Sequence, residues 1–295
     1  MANADPARPV PTASSGGSEL TLRILSGLVL APLAVGVAYL GGWVFVAFWG
    51  IAAVTVLWEW CTLISAEERR TVLLAASPAV LLAVLLAGAS ALGPDGSHSV
   101  RLVVGATLLA MGMLATAALV PTGRRAWTAA GVPYAGLLGM APIALRNDEQ
   151  YGFLAIVFLF AVVWATDIVA YFVGRAVGGP KLAPGISPKK TWSGAIGGTL
   201  AAIAAAITVA MAAGLANVVA LGLLAAAASA FSQAGDLFES AVKRRFGAKD
   251  SSHLIPGHGG LMDRLDGFVA AAVVAAVIGL LHGGVDEAAR GLLVW

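Results

Sequence analysis

The sequence predicts an all-α, polytopic integral membrane protein with about nine transmembrane helices and a cytoplasmic N-terminus. Three observations carry this. Hydrophobic residues make up 59% of the 295 residues and charged residues only 12%, against about 45–50% and about 25% in soluble domains. The apolar residues fall in runs long enough to cross a bilayer, which takes about 20 residues. The basic residues alternate between loops as the positive-inside rule requires. A soluble fold of this composition would expose large apolar patches, so a soluble enzyme and a disordered chain are both excluded. The formal net charge of +2 gives no case for nucleic-acid binding. The single cysteine, Cys61, excludes an intrachain disulfide and Cys-based zinc motifs.

Residues 1–19, rich in Pro, Ser, Ala and Gly, read as a flexible N-terminal tail. Residues 20–125 supply N-terminal membrane helices, and residues 126–295 form the catalytic region. The first span, about 22–40, follows Arg23 and resembles a signal peptide, but it lacks a small-x-small cleavage site and is read as uncleaved. The next spans run about 43–64, 71–92 and 101–120. The second of these carries an inward acid, Glu59, with no motif around it. The fifth, about 127–145, is the weakest, because Pro133, Pro142 and several glycines interrupt it. The remainder run about 151–173, 194–213, 215–238 and 267–282, and the stretch 285–295 is too short to cross. With the N-terminus inside, 15 of the 18 Lys and Arg fall on the cytoplasmic side, leaving only Arg101, Arg146 and Arg290 outside. Two cytoplasmic loops are long, 174–193 and 239–266, and polar loops of that length are where function concentrates.

Three constellations carry chemistry. Thr166–Gly178 holds Asp167 near the inner end of an apolar helix, with Arg175 two turns on. A carboxylate at that depth is costly and marks function by default; the plainer reading is an ion pair, with Arg175 as one partner. Lys181–Gly198 places Ser187, Lys189, Lys190, Thr191 and Ser193 in a Pro- and Gly-rich loop before an apolar helix. Hydroxyls, lysines and free amides at a helix start suit a phosphate, while helix capping explains part of the pattern. Gln233–Gly267 holds Asp236, Lys243, Arg244, Lys249, Asp250, the glycine turn around His258, and Asp263 and Asp266 three apart. Two carboxylates on one helix face with a third from a neighbour could hold a hard divalent cation. Acids and bases together suit metal-assisted phosphoryl or nucleotidyl transfer. His253 and His258 without thiolates give little case for zinc.

This third run resembles the signature of the phosphatidate cytidylyltransferases, or CDP-diacylglycerol synthases. The pattern is a serine, Lys-Arg, Lys-Asp, Pro-x-His-Gly-Gly and Asp-Arg-x-Asp, and it is met by Ser240, Lys243 and Arg244, Lys249 and Asp250, Pro256–Gly260, and Asp263, Arg264 and Asp266. The runs Asp167–Arg175 and Ser187–Thr191 are also similar to that family. The resemblance covers the C-terminal half well; residues 1 to about 125 contribute only spans. It implies an enzyme that joins CTP and phosphatidate into CDP-diacylglycerol and pyrophosphate, in a bacterial inner membrane with the active site on the cytoplasmic side. It also implies that Asp236, Asp263 and Asp266 bind Mg2+, with K+ as a candidate second cation. Lys243 and Arg244 would meet phosphates, and Ser187, Lys189, Lys190, Thr191, Lys249, His258, Asp167 and Arg175 would complete substrate binding. The implied partners are CTP, phosphatidate and the bilayer, with a homodimer left open and no nucleic acid. Many members carry Glu or Gln at the position of Ser193; here Ser193 is placed to cap the helix. Two alternatives stay open: a CTP-dependent enzyme acting on another membrane lipid, and an ion-coupled transporter using Asp167 and Asp236.

Overall fold

A computed structural model describes residues 16–89, 97–255 and 259–295. Among the described residues the chain forms α1 (Gly16–Leu40), α2 (Gly42–Ile64), α3 (Arg69–Ala89), α4 (Ser97–Leu119), α5 (Arg125–Arg146) and α6 (Gly152–Val177). A hairpin follows, β1 (Lys181–Ala183) and β2 (Ser187–Thr191), then α7 (Trp192–Ala212), α8 (Val218–Arg245), α9 (Met262–Gly283) and the short α10 (Ala288–Leu293). Eight of these, α2 through α9, are long and apolar enough to cross a membrane. The expected first span corresponds to α1, whose shorter apolar part Leu28–Leu40 lies within the described side chains.

Inter-helix hydrogen bonds show which ends lie together. At one end, Arg146 donates through Nε to the carbonyl of Ala38 at 2.6 Å, Asn147 to that of Ala87 at 2.7 Å, and the amide of Arg290 to Asp148 at 2.9 Å. At the other, Trp60 donates to the carbonyl of Trp127 at 2.8 Å, and Arg245 stacks on Trp127 at 5.2 Å. The hairpin and residues 246–255 and 259–261 lie at this second end, which also receives most of the basic residues among the described residues.

The interrupted fifth span is a continuous helix through Pro133 and Pro142, and α5 is the most deeply buried of the membrane helices. Its glycines explain both its weak hydropathy and its central place. A Cβ on Gly131 would run into the Trp60 ring, and one on Gly136 into Leu109. Small residues let neighbouring helices approach where lipid offers no hydrophobic drive. Around α5 the aromatic rings interlock: Trp60 of α2 lies 5.0 Å from Tyr134 and 6.2 Å from Phe238 of α8. Trp49 stacks on Phe268 of α9 at 5.1 Å. The N-terminal helices are thereby wedged against the elements that carry the motifs.

Helices α6 and α7 press together along Gly174, Gly194 and Gly198. A polar chain joins them to α8: Thr166 Oγ1 donates to Ser229 Oγ at 2.8 Å, and Gln233 Nε2 donates to Thr199 Oγ1 at 3.2 Å. A Cβ on Gly198 would stand 2.7 Å from the Thr166 carbonyl and 3.0 Å from the Ala170 methyl. Gly198→Val is therefore expected to cost about 1–3 kcal/mol through overpacking, read as a lower melting temperature in detergent. An unchanged melting temperature would contradict this close approach.

Candidate active site

Between α6, the hairpin, α7 and α8 lies a cavity of about 730 Å³, within the size range of small-molecule sites. Asp167 and Arg175 of α6, Ser187, Lys189, Lys190 and Thr191 of β2, and Gln233 and Asp236 of α8 line it. The segment expected to be a loop is thus a hairpin, paired antiparallel with Lys181 opposite Thr191 and Ala183 opposite Ser187. Gly178 and Gly179, with φ of 66° and 96°, turn the chain out of α6, a conformation open to glycine at little cost. The return is fixed by the Trp192 amide, which donates to the Pro180 carbonyl at 3.0 Å. Thr191 caps α7, its hydroxyl accepting from the Gly194 amide at 3.1 Å. Ser193, placed by the sequence at that cap, instead donates to the Gly178 carbonyl. The reason is register: Thr191, with extended backbone dihedrals, is the residue before the first helical turn.

The cavity has a polar floor and a lipid-facing flank. Lys190 crosses from β2 to pair with Asp236 of α8, and Asp236 also accepts from Ser240 at 3.5 Å. Arg175 donates to the Tyr171 hydroxyl at 3.0 Å. Tyr171, and Phe172 at 5.3 Å from it, expose more than half of their surface, as rings at a membrane interface do.

A second cluster lies deeper. The α8 helix continues through Arg245, well past the expected end of its span, and so carries Glu239 and Lys243 on one face. Lys243 Nζ is 2.6 Å from Glu239 and 2.5 Å from Asp263 of α9. The other oxygen of Asp263 accepts from the Ser251 amide at 2.9 Å, the Ser251 hydroxyl at 2.9 Å and the Gly260 amide at 2.8 Å. Lys243 is buried and Glu239 fully so. Buried charges of this kind persist only when paired.

The structure does not gather Asp236, Asp263 and Asp266 around one point, and among the described residues no three His, Cys, Asp or Glu side chains could hold a metal ion. Asp263 faces Lys243, Ser251 and Gly260, whereas Asp266 lies within electrostatic reach of Asp236, Asp167 and Lys190. Residues three apart on a helix are offset by about a sixth of a turn, and here that offset separates their partners. The residues as arranged do not fit a resident metal at this trio. The expected phosphate pair also divides: Lys243 is buried, but Arg244 is exposed and donates to the Ala248 carbonyl of its own loop at 3.0 Å. Lys249 is exposed on that loop, away from the cavity lining. His258 lies outside the described residues, as do Pro256 and Gly257.

Residues 21–282 match the model of the cytidylyltransferase family. The chain belongs to that family. It is 41% identical over 271 residues to a phosphatidate cytidylyltransferase of Brucella abortus strain 2308, covering 91% of this chain and 96% of the relative. A phosphatidate cytidylyltransferase of Pseudomonas aeruginosa is 37% identical over 272 residues, covering 88% and 96%. One of Bacillus subtilis is 43% identical over 137 residues, covering 46% of this chain and 51% of that one. Family membership makes the protein a nucleotidyltransferase, built in membrane helices. The matched region begins in α1 and ends in α9, so it includes helices in which the sequence offered only hydrophobicity.

Two members of the site were not singled out from sequence. Gln233 lines the cavity one turn before Asp236, and its spacing on α8 was the available signal. Glu239 pairs with Lys243 at i, i+4, a spacing that places both on one helix face but that was obscured by treating 239 as the start of a loop.

Proposed function

We propose that the protein transfers a cytidylyl group from CTP to phosphatidate, giving CDP-diacylglycerol and pyrophosphate. The observation that carries this is the one cavity shared by Arg175, Lys189, Lys190 and Ser187, with the exposed ring of Tyr171 in its lining. A polyanionic nucleotide and a phosphate that stays in the leaflet need such a meeting place. The names of the relatives supply the nucleotide and the lipid.

In the proposed reaction a phosphate oxygen of phosphatidate attacks the α-phosphorus of CTP. The new P–O bond forms as the bond from the α-phosphorus to the bridging oxygen breaks, and pyrophosphate leaves with that oxygen. The nucleophile is already anionic, so no general base is required. Lys189 and Lys190 are placed to meet the nucleotide phosphates, and Arg175, at the lipid flank, to meet the phosphate of phosphatidate. Fixed donors aimed at developing charge are the main source of rate enhancement in such transfers. Lys190 would exchange Asp236 for a phosphate as substrate enters. Mg2+ is taken as part of the substrate, carried on the CTP phosphates, with Asp167, Asp236 and Asp266 as the acids on that side of the site. We further propose that the hairpin end faces the cytoplasm of a bacterial inner membrane, because the positive-inside reading of the sequence assigns 15 of the 18 basic residues to that side.

Proteoliposomes sorted by orientation test both parts. With CTP labelled at the α-phosphate, label should enter the lipid fraction only when CTP is supplied on the hairpin side. Label entering from the side of Glu287 would overturn the orientation, and label confined to water-soluble products would overturn the transfer.

A further inference from the structure

Ser251, Ser252 and the start of α9 are held from the other half of the chain. Glu59 sits on α2 at the hairpin end of the bundle and is fully buried. One carboxylate oxygen accepts from Ser252 Oγ at 2.6 Å and the Leu261 amide at 2.8 Å. The other accepts from the Met262 amide at 2.6 Å and from Ser251 Oγ at 3.4 Å. The first amides of a helix have no partner within it, and α9 has no side-chain cap from its own N-cap residue, Leu261. Glu59 supplies that cap from another helix, with its negative charge at the positive end of the α9 dipole.

Asp263 grips the same segment from the other side, through Ser251 and the Gly260 amide. Gly260 is pressed so closely between them that a Cβ would collide with both Ser251 Oγ and Glu59. Ser251, Ser252 and residues 260–262 are thus folded over two carboxylates, and the Ser251 hydroxyl lies within reach of both. Three donors converge on the two oxygens of Glu59, the Ser252 hydroxyl and the Leu261 and Met262 amides, with the Ser251 hydroxyl, whose one hydrogen is nearer Asp263, beside them. A glutamine has one acceptor oxygen and would set its own NH2 against the remaining donors, so the arrangement suits a side chain with two acceptor oxygens. An acid this deep in a membrane helix is costly to keep.

We infer that Glu59 is a positioning residue for the transfer reaction: by fixing Ser251, Ser252 and residues 260–262 it sets the carboxylate of Asp263 and, through it, the ammonium of Lys243. The inference rests on the proposed transfer for the role of those two groups, and on geometry alone for the clamp. It gives a role to a helix in the N-terminal half, whose sequence carries no motif.

The test is Glu59→Gln in the full-length protein, purified in detergent. Misplacing groups by about 1 Å lowers turnover by roughly tenfold to a hundredfold, so kcat should fall in that range while KM for CTP stays within about twofold. Amide exchange at Leu261 and Met262 should speed up roughly tenfold or more, as in a local opening, with α2 and α5 as protected as before. Wild-type kcat, or faster exchange spread evenly over α2, α5 and α9, would overturn the inference. Ser252→Ala keeps the buried charge and removes one neutral donor, so a loss of roughly two- to tenfold in kcat is expected. Unchanged kcat there overturns the inference even if the Glu59 variant does not accumulate. Faster exchange confined to 261–262 supports the clamp whichever lipid proves to be the acceptor, so failure of the transfer reading remains distinguishable.

Discussion

Asp263→Asn is expected to lower activity at least a hundredfold while the protein still inserts and purifies. Asp263 gathers four donors: Lys243 at 2.5 Å, the Ser251 amide and hydroxyl, and the Gly260 amide. Asparagine keeps the shape but brings two N–H donors into a nest of donors and removes the charge that holds Lys243. The groups that these bonds hold would shift, and a misplacement of about 1 Å costs roughly a hundredfold in rate. Glu239 remains beside Lys243 at 2.6 Å, which keeps the lysine paired and spares the helix bundle. Initial rates with CTP, alongside size-exclusion profiles, check this. A monodisperse variant with near wild-type rates would remove Asp263 from the machinery.

The neighbouring lysine and arginine should behave differently from one another. Lys243→Ala leaves Glu239 and Asp263 facing each other without a cation in a buried site, and breaking a buried ion pair in this way costs about 3–5 kcal/mol. Both activity and melting temperature should fall. Arg244→Ala removes an exposed side chain bonded only to its own loop at Ala248, where the effect is expected to be less than about 1 kcal/mol and activity within a few fold of wild type. Measuring both variants for melting temperature and rate decides the matter. Equal and severe losses would mean that Arg244 reaches the substrate despite its place on the loop.

The contrast between these two adjacent residues shows where the sequence stopped being informative. Hydropathy located the spans, because lipid demands long apolar runs whatever the tertiary arrangement. It ended α8 too early, since Asp236, Glu239, Ser240, Lys243 and Arg244 look like a loop when read as a polar run. Their spacing of four instead builds one polar helix face, which pairs Glu239 with Lys243 and Asp236 with Ser240. The hairpin was read as a loop because its strands are only three and five residues long, too short for an alternating pattern to stand out. The resemblance named most of the polar residues of the cavity lining, Asp167, Arg175, Ser187, Lys189, Lys190, Thr191 and Asp236. It could not show that Asp263 belongs with Lys243 and the glycine turn while Asp236 belongs with Lys190, because those partners lie 20 and 46 residues away. Glu59 was visible as an inward acid, but its partners are 192 to 203 residues distant. Only the packing of α2 against α9 brings them together.

The central claim is that a lipid phosphate receives the cytidylyl group in the cavity beneath the hairpin. It is tested most directly by mass spectrometry of the lipids after incubating purified protein with CTP, Mg2+ and equimolar phosphatidate, diacylglycerol and an isoprenyl phosphate. The account expects phosphatidate alone to gain the mass of a cytidylyl group, with one pyrophosphate released for each CDP-diacylglycerol formed. Unmodified phosphatidate with cytidylyl mass on either competing lipid, or CTP consumed without a lipid product, would contradict it.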